Sequence, residues 1–578
     1  MKPLVLGTDA AGGQIALRPD GRRTHMHVIG SSGSGKSKFL ECLIRQDLTS
    51  QQGFCLIDPH GTLYRDVLDY CAHHVLKRDI ILLNLSQPSH VVAFNPFRRA
   101  IGADVSVQVD RRIIATMHAW GVENSDLTPT LERTLRLIYT MLIEQSLSFQ
   151  QAEHLIDFNA RQIREQLIQN VGSPLIRKEW QELQQLNPRD WRAEVLSAKN
   201  RLFRLLTSTA LSRFFNPAGN AIDVADIVDK GKVLLVNLAA SDHLSSENAR
   251  VFGALLVNEF FEVAKRRDTT TDLKPFYLYL DEFPKFVSMD ISAMLDEVRK
   301  FRLFTVLAHQ RFGQLDEDLA DAVLTNCRIK AVFGGLPVES AKMMAQELFI
   351  GELDPMKIKV AIYQTKFWPK YSRDKVYTSS TSSGRSAGRG ENQGSSSGAG
   401  SGAGEFFLPG DWMSAGEMSG LSTSVTNMMT SVSASHTSET DFAGEADGVA
   451  DVPILLPVPF KELSGLQYFS TDEQLTQLTA ALKEQFPRHC FIKVHDQKTQ
   501  PMLVPFIKHF YTSPKNLKWY EERVLSKIRA RKAEDVDSEI LQSAAANART
   551  EEPTSSERPS RQKGKTTSAR WQDLIGRE

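Results

Sequence analysis

The chain has little that would hold it outside a reducing compartment. Its five cysteines (Cys42, Cys55, Cys71, Cys327 and Cys490) are scattered, and no two form a C-x-x-C pair. This fits small core residues in a reducing cytosol better than a disulfide framework or a zinc site. No N-terminal apolar signal segment occurs, and no run reaches the ~18 apolar residues of a membrane-spanning helix. The expectation is a soluble, cytoplasmic protein without a transmembrane segment of its own. Net charge is also missing, since 69 basic residues meet 69 acidic ones. A global attraction to nucleic acid is therefore excluded, and any basic surface must be local. At 578 residues the chain has room for more than one domain.

What is present is a phosphate-binding pattern. The stretch Gly30-Ser31-Ser32-Gly33-Ser34-Gly35-Lys36-Ser37 fits G-x-x-x-x-G-K-[ST]. Met26, Val28 and Ile29 before it read as a buried strand, and Phe39, Leu40 and Leu43 after it fall on one helix face. In this strand–loop–helix context the glycines let backbone N–H groups converge on phosphate oxygens. Lys36 is then expected to reach the β- and γ-phosphates of ATP, and the Ser37 hydroxyl to ligate Mg²⁺.

A second pattern lies 245 positions beyond Lys36. Phe276-Tyr-Leu-Tyr-Leu280 is an apolar strand ending in Asp281-Glu282, a Walker B arrangement. Asp281 is expected to hold Mg²⁺ and Glu282 to act as general base on the attacking water. Phe304 to Gln310 reads as another strand with a polar end, where Gln310 is placed to sense the γ-phosphate or position water. Leu324 to Phe333 reads as a further strand. Gly53 to Asp58 is an apolar strand as well. Asp58 either caps the next helix or has a nucleotide or metal role, and His60 is read as structural. Strands alternating with helices predict a parallel α/β sheet with ligands at the carboxyl ends of its strands.

The expected fold is therefore α/β, a RecA-like P-loop NTPase core with insertions. Residues 1–103 form its first part, and 216–377 its second. Between them, 104–215 carries only helical periodicity and reads as an all-α insertion, with Leu127-Thr-Pro129 as a helix start. Its Arg161, Arg164, Arg177, Lys178, Arg201 and Arg204 are either DNA-backbone contacts or a solvated face. Residues 378–450, rich in Ser and Gly, read as a long disordered linker. Within it Phe406-Phe-Leu is a candidate docking patch. Residues 451–512 read as a helix plus hairpin completing the core with α+β structure. Residues 513–578 read as a charged helix and a disordered tail with a small basic cluster around Arg558 and a Trp571-Gln-Asp-Leu motif.

Several stretches together resemble one family. They are the P-loop, Ile57-Asp-Pro-His-Gly-Thr-Leu63, Phe94-Asn-Pro-Phe97, Leu280-Asp-Glu-Phe283, Glu297-Val-Arg-Lys-Phe301, and Leu307-Ala-His-Gln310 with Gln314-Leu315. The set resembles the TraG/TraD-type coupling proteins of type IV secretion and conjugation. The Asp-Pro-His-Gly stretch is similar to HerA-type translocases in the same HerA/FtsK superfamily. The resemblance implies a hexameric ATPase that pumps DNA through a central channel, with relaxosome or secretion-channel proteins as partners. It implies Arg299 as an arginine finger reaching a neighbouring subunit's ATP, and Gln310 as the sensor glutamine. Coupling proteins of the family carry N-terminal transmembrane helices, and this chain starts at the ATPase core. It would then be recruited peripherally to the inner membrane by a partner or work in the cytoplasm. The alternatives are a HerA-like DNA-processing or phage-defence motor working with a nuclease, and a nucleotide-gated scaffold that recruits a relaxosome.

Overall fold

The computed structural model describes residues 2–121, 129–215, 222–287, 295, 297–381 and 445–550. It has two compact units, one of Met1–Met356 with Phe469–Glu578 and the other of Lys357–Tyr468.

The strands in chain order are β1 Leu4–Thr8, β2 Gln14–Leu17, β3 Met26–Ile29, β4 Gly53–Asp58, β5 Ile80–Asn84, β6 His90–Val91, β7 Val233–Asn237, β8 Phe276–Leu280, β9 Leu303–His309, β10 Ile329–Phe333, β11 Ile358–Thr381, β12 Glu445–Tyr468, β13 His489–Val494, β14 Gln500–Leu503 and β15 Arg531–Lys532. Eleven of them build one sheet in the order β2-β1-β14-β13-β10-β3-β9-β8-β4-β7-β5. From β10 to β5 the strands run parallel. The other four extend the sheet antiparallel. Parallel strands are covered on both faces, which is why β3, β4, β8 and β10 are buried throughout and read as unbroken apolar runs. One strand, β9, separates the P-loop strand β3 from the Walker B strand β8.

Helices α1 Lys36–Ser50 and α2 Thr62–His73 follow β3 and β4. The insertion is all-α, comprising α3 Val105–Ala119, α4 Pro129–Glu144, α5 Ala152–Ile156, α6 Arg161–Gln169, α7 Pro174–Gln185, α8 Pro188–Leu206 and α9 Thr209–Phe214. Asn187 starts α8 by accepting the N–H groups of Arg189 and Asp190, with Pro188 in the first turn. Helices α10 Val224–Lys230 and α11 Ser246–Lys265 lead back to the sheet. Buried Arg112 on α3 fastens the insertion to α11, donating to Asn258 Oδ1 (2.5 Å) and Glu262 Oε1 (2.7 Å).

The six basic side chains of the insertion named as candidate DNA contacts have partners within the chain. Arg164 is buried, donates to the His154 and Asp157 carbonyls, and lies over the Trp191 ring. Arg161, Lys178 and Arg204 pair with Glu165, Glu182 and Glu247. Arg177 donates to the Val171 carbonyl, and Arg201 lies over Trp120.

Three stretches differ from the sequence reading. Helix Glu317–Asn326 occupies the start of the expected strand at 324, and β10 begins at Ile329. Strands β11 and β12 run to Thr381 and from Glu445, so they take up both ends of the 378–450 stretch read as linker. Cross-strand hydrogen bonding offsets the weak propensity of those ends. The remainder of that stretch, with Phe406, lies outside the described residues. Beyond residue 513 the chain is ordered further than composition suggests. Helix Pro514–Lys527 buries Tyr520 and Val524, and the Tyr520 hydroxyl donates to the Leu76 carbonyl (3.0 Å). Then β15 pairs with β6, and a helix spans Ala533–Thr550, tied by Asp537 to Arg213 of α9. Arg558 and Trp571 lie outside the described residues, as do the first two positions of Leu127-Thr-Pro129; α4 starts at Pro129. Among the described residues no helix is long and apolar enough to cross a membrane.

One buried ion pair holds the N-terminal lead-in to the core. Arg22 donates to both oxygens of Asp47 on α1 (2.5 Å each), and its guanidinium lies 3.7 Å from the centre of the Tyr277 ring. The Tyr279 hydroxyl also donates to Asp47 (2.6 Å). Breaking such a pair strands a charge in the interior. Asp47→Ala is therefore expected to lower unfolding stability by about 3–5 kcal/mol in urea titrations, with the m value unchanged. A loss under about 1 kcal/mol would mean that the pair is hydrated like a surface bridge.

Candidate functional site

The P-loop joins the carboxyl end of β3 to α1. Gly33 (φ +78°) and Gly35 (φ +111°) take left-handed conformations. At Gly30 a Cβ would lie 2.5 Å from the Phe333 Cβ, so the loop packs directly on the end of β10. The Ser31 N–H donates to the Gly334 carbonyl (3.1 Å), and the Arg488 N–H to the Ser34 carbonyl (2.9 Å). The C-terminal segment thus braces the loop from outside. Ser32 is exposed, and Ser37 lies half-buried in the first turn of α1. Lys36 is buried and curls back, donating to the Gly30 (2.5 Å) and Ser31 (2.9 Å) carbonyls. Burial lowers its pKa, and the nearby Asp281 and Glu282 carboxylates oppose that.

Two strands away, Asp281 and Glu282 cap the end of β8. Burial pushes the Asp281 carboxyl up to about 7, and the Asp58 and Glu282 carboxylates add to this while Lys36 opposes it. Glu282 is buried in the left-handed region (φ +50°), a backbone strain of the kind that gathers at functional sites. Its Oε1 accepts from Gln310 Nε2 (2.5 Å) and its Oε2 from Gln314 Nε2 (3.4 Å). Gln314 Oε1 in turn accepts the N–H groups of Gln310 and Arg311 (3.2 Å each). Gln314 therefore positions both the glutamine and the glutamate. The sequence reading quoted it without a role, because a short 3-10 turn, Phe312–Gln314, brings it back to residues it follows.

Asp58 is fully buried at the end of β4. Its oxygens accept the N–H groups of His60 and Tyr64 (2.8 Å each), so it caps the start of α2, and its charge also bears on Asp281. His60 is exposed.

Under the site lies a histidine pair that the sequence reading missed. His27 on β3 and His309 on β9 meet Nε2 to Nε2 at 2.8 Å. His309 Nδ1 must donate to the Arg311 carbonyl (3.1 Å), so His309 Nε2 accepts and His27 Nε2 donates. His27 Nδ1 is then a buried acceptor with no partner among the described residues. Both rings stay neutral, because burial holds His27 well below the usual imidazole range and His309 down to about 3.

Arg299 lies elsewhere. It is exposed in the turn Arg299–Phe301 that leads into β9, while Gln310 follows the other end of the strand. Seven residues of parallel strand span about 20 Å. His25, just before β3, marks the same edge of the sheet. Its Nε2 donates to the Leu295 carbonyl (3.0 Å), its Nδ1 accepts from the Thr305 N–H (3.0 Å), and its pKa falls to about 4 through burial, with the Arg299 charge adding to the fall. The structure thus brings together Lys36, Asp281, Glu282 and Gln310 and sets Arg299 on the opposite edge.

The donor set fits a nucleoside triphosphate with a divalent cation. It offers a glycine loop at a helix N-terminus, a buried ammonium, and carboxyls whose crowding a cation would relieve. A family described as the type IV secretion-system coupling protein DNA-binding domain matches residues 10–381. The chain belongs to that family. The coupling-protein match takes in the P-loop, the all-α insertion, Asp281, Glu282, Arg299 and Gln310. Among curated proteins none matches the chain. Among solved structures, the bacterial conjugative coupling protein TrwBdeltaN70 is 12% identical, with 88% of this chain and 90% of that one covered and a TM-score of 0.48. The plasmid coupling protein TrwB in complex with ADP and Mg²⁺ is 15% identical, covering 59% and 78%, with a TM-score of 0.40. VirB4 of Thermoanaerobacter pseudethanolicus is 14% identical, covering 60% and 87%, with a TM-score of 0.41.

Proposed function

We propose that this coupling-protein chain is an ATP-dependent DNA translocase, hydrolysing ATP to move DNA through the channel of a homo-oligomeric ring, read as a hexamer. The observation that carries the reading is Glu282 held by Gln310 at the ends of adjacent strands, in the same cluster as Lys36 and Asp281.

The geometry supports the following roles. The N–H groups of the loop from Gly30 to Gly35 take the phosphates. Lys36 exchanges the Gly30 and Ser31 carbonyls for phosphate oxygens. Ser37 and Asp281 would hold Mg²⁺, which would neutralise charge on the phosphates. Glu282 accepts the proton of the attacking water, and Gln310 orients that water. Asp58 caps the start of α2 by accepting one backbone N–H on each oxygen, and its charge bears on Asp281 beside the cation position. Arg299 is too far from its own P-loop and acts on a neighbour's ATP, so the complete site needs two subunits. DNA is held through its phosphates, hence with strong salt dependence and little sequence preference. Relaxosome and secretion-channel proteins at the cytoplasmic side of the inner membrane are the partners of this reading.

The test is ATP hydrolysis with and without single- and double-stranded DNA at low and moderate salt, with Lys36→Ala as the blank. The expected result is stimulation by DNA that fades with salt and is absent in the variant. Hydrolysis indifferent to DNA would replace the motor with a nucleotide-gated scaffold.

A further inference from the structure

The unit Lys357–Tyr468 is a ribbon of β11 and β12, paired antiparallel along their length. A lone two-stranded ribbon is marginal in water, and this one leaves large apolar side chains uncovered. Phe367, Trp368 and Tyr371 are 61%, 65% and 77% exposed, and Ile358, Val360, Ile362, Leu456, Val458, Leu463 and Leu466 are exposed with them. On the part of the ribbon that carries them, basic side chains outnumber acidic ones. Residues 357–373 and 456–468 carry six basic side chains (Lys357, Lys359, Lys366, Lys370, Arg373, Lys461) and one acidic, Glu462. In a chain with no net charge this is a local excess of five, six less one, confined to this part: residues 374–381 and 445–455 carry four acidic side chains and one basic, and Lys366 is paired with Glu462.

The register sorts these groups onto faces. On one face the row Lys366, Trp368, Lys370 of β11 stands opposite Phe460, Val458, Leu456 of β12, with the Trp368 and Phe460 rings 5.8 Å apart. Tyr363 and Phe367 occupy the other face, opposite Leu463 and Pro459.

We propose that this ribbon docks on an anionic lipid bilayer. A tryptophan flanked by two lysines, facing Phe460, Val458 and Leu456, matches the layering of a bilayer interface, where rings sit at headgroup depth, long lysine stems reach lipid phosphates, and aliphatic groups leave water. A nucleic acid would satisfy the lysines and tryptophan but would leave Leu456, Val458 and their aliphatic neighbours in water. Sheet extension by a protein strand is opposed at the β12 edge, where Pro457 and Pro459 lack N–H donors. The ribbon lies in the interface rather than the hydrocarbon, because its outer backbone groups have no partner strand among the described residues and need water or headgroups.

The test is flotation of the full chain with vesicles of phosphatidylcholine alone or mixed with phosphatidylglycerol, beside duplex DNA binding and ATP hydrolysis. The expected result is flotation with the mixed vesicles only. Removing two surface cations in Lys366→Gln/Lys370→Gln is expected to weaken it about 30-fold. Trp368→Ala should weaken it as well, and neither variant should alter hydrolysis, since all three side chains are exposed and outside the nucleotide site. Absence of flotation, equal flotation by the variants, or a loss confined to DNA binding would each overturn the proposal. None of these outcomes touches the translocase reading, which stands or falls on hydrolysis.

Discussion

Glu282→Gln protein is expected to bind ATP as tightly as the parent and to hydrolyse it about 10²- to 10⁴-fold more slowly, the span of a lost general base. The substitution suits the question because it is nearly isosteric. A glutamine carbonyl at the Oε1 position still accepts from Gln310, and the left-handed turn that carries residue 282 is unchanged. What is lost is the second acceptor and the ability to take a proton. The measurement is single-turnover hydrolysis alongside equilibrium nucleotide binding. Binding retained with turnover lost assigns the base. Turnover near the parental rate would move that role off Glu282 and leave it as an anchor for the two glutamines.

Arg299→Ala is expected to leave folding and nucleotide binding intact and to lower hydrolysis about 10³- to 10⁵-fold, the range of arginine fingers in other NTPases. Its side chain is exposed and lies at the end of β9 away from Gln310, which is why the proposed role is toward a neighbouring subunit. The decisive measurement mixes Arg299→Ala subunits with Lys36→Ala subunits, each inactive alone. Mixed rings contain some sites with an intact loop from one subunit and an intact arginine from the next, and activity should return in part. A mixture as inactive as its components would place the arginine's effect within one chain, for example through His25 and the segment around Leu295.

The parts of the site that were legible in the sequence are those whose chemistry is written in consecutive residues. The P-loop, Asp281-Glu282 and the polar end after His309 each announce themselves by an apolar strand followed by a functional turn. The sheet then places them side by side, because parallel strands aim all their carboxyl ends one way. Contacts made by tertiary folding left no local trace. His27 and His309 are 282 positions apart and read as ordinary strand residues until β3 and β9 pair. Arg164 looked like a surface cation in a periodic helix, yet it is buried against Trp191. Tyr520 sits in a charged helix whose docking on α2 no short-range pattern reports. The ribbon was hidden for another reason. Its ends adjoin a long Ser/Gly-rich stretch, and composition averaged over a window blurs two strands into their surroundings.

The order of strands in the sheet also bears on how the protein is born. The hairpin β13–β14 lies between β10 and the N-terminal strands β1 and β2, and Arg488 beside it braces the P-loop. On the ribosome, a chain that has emerged only as far as β10 already contains every Walker residue, yet one edge of its central strands is open and its loop lacks the outer brace. An open parallel edge is a site for mispairing with other nascent chains. Closing it requires residues translated about 160 positions later, ~10–30 s at ordinary elongation rates. Synthesis therefore leaves a long interval in which a holding chaperone has a defined target, and the phosphate-binding loop gains its outer brace only when the chain is nearly complete.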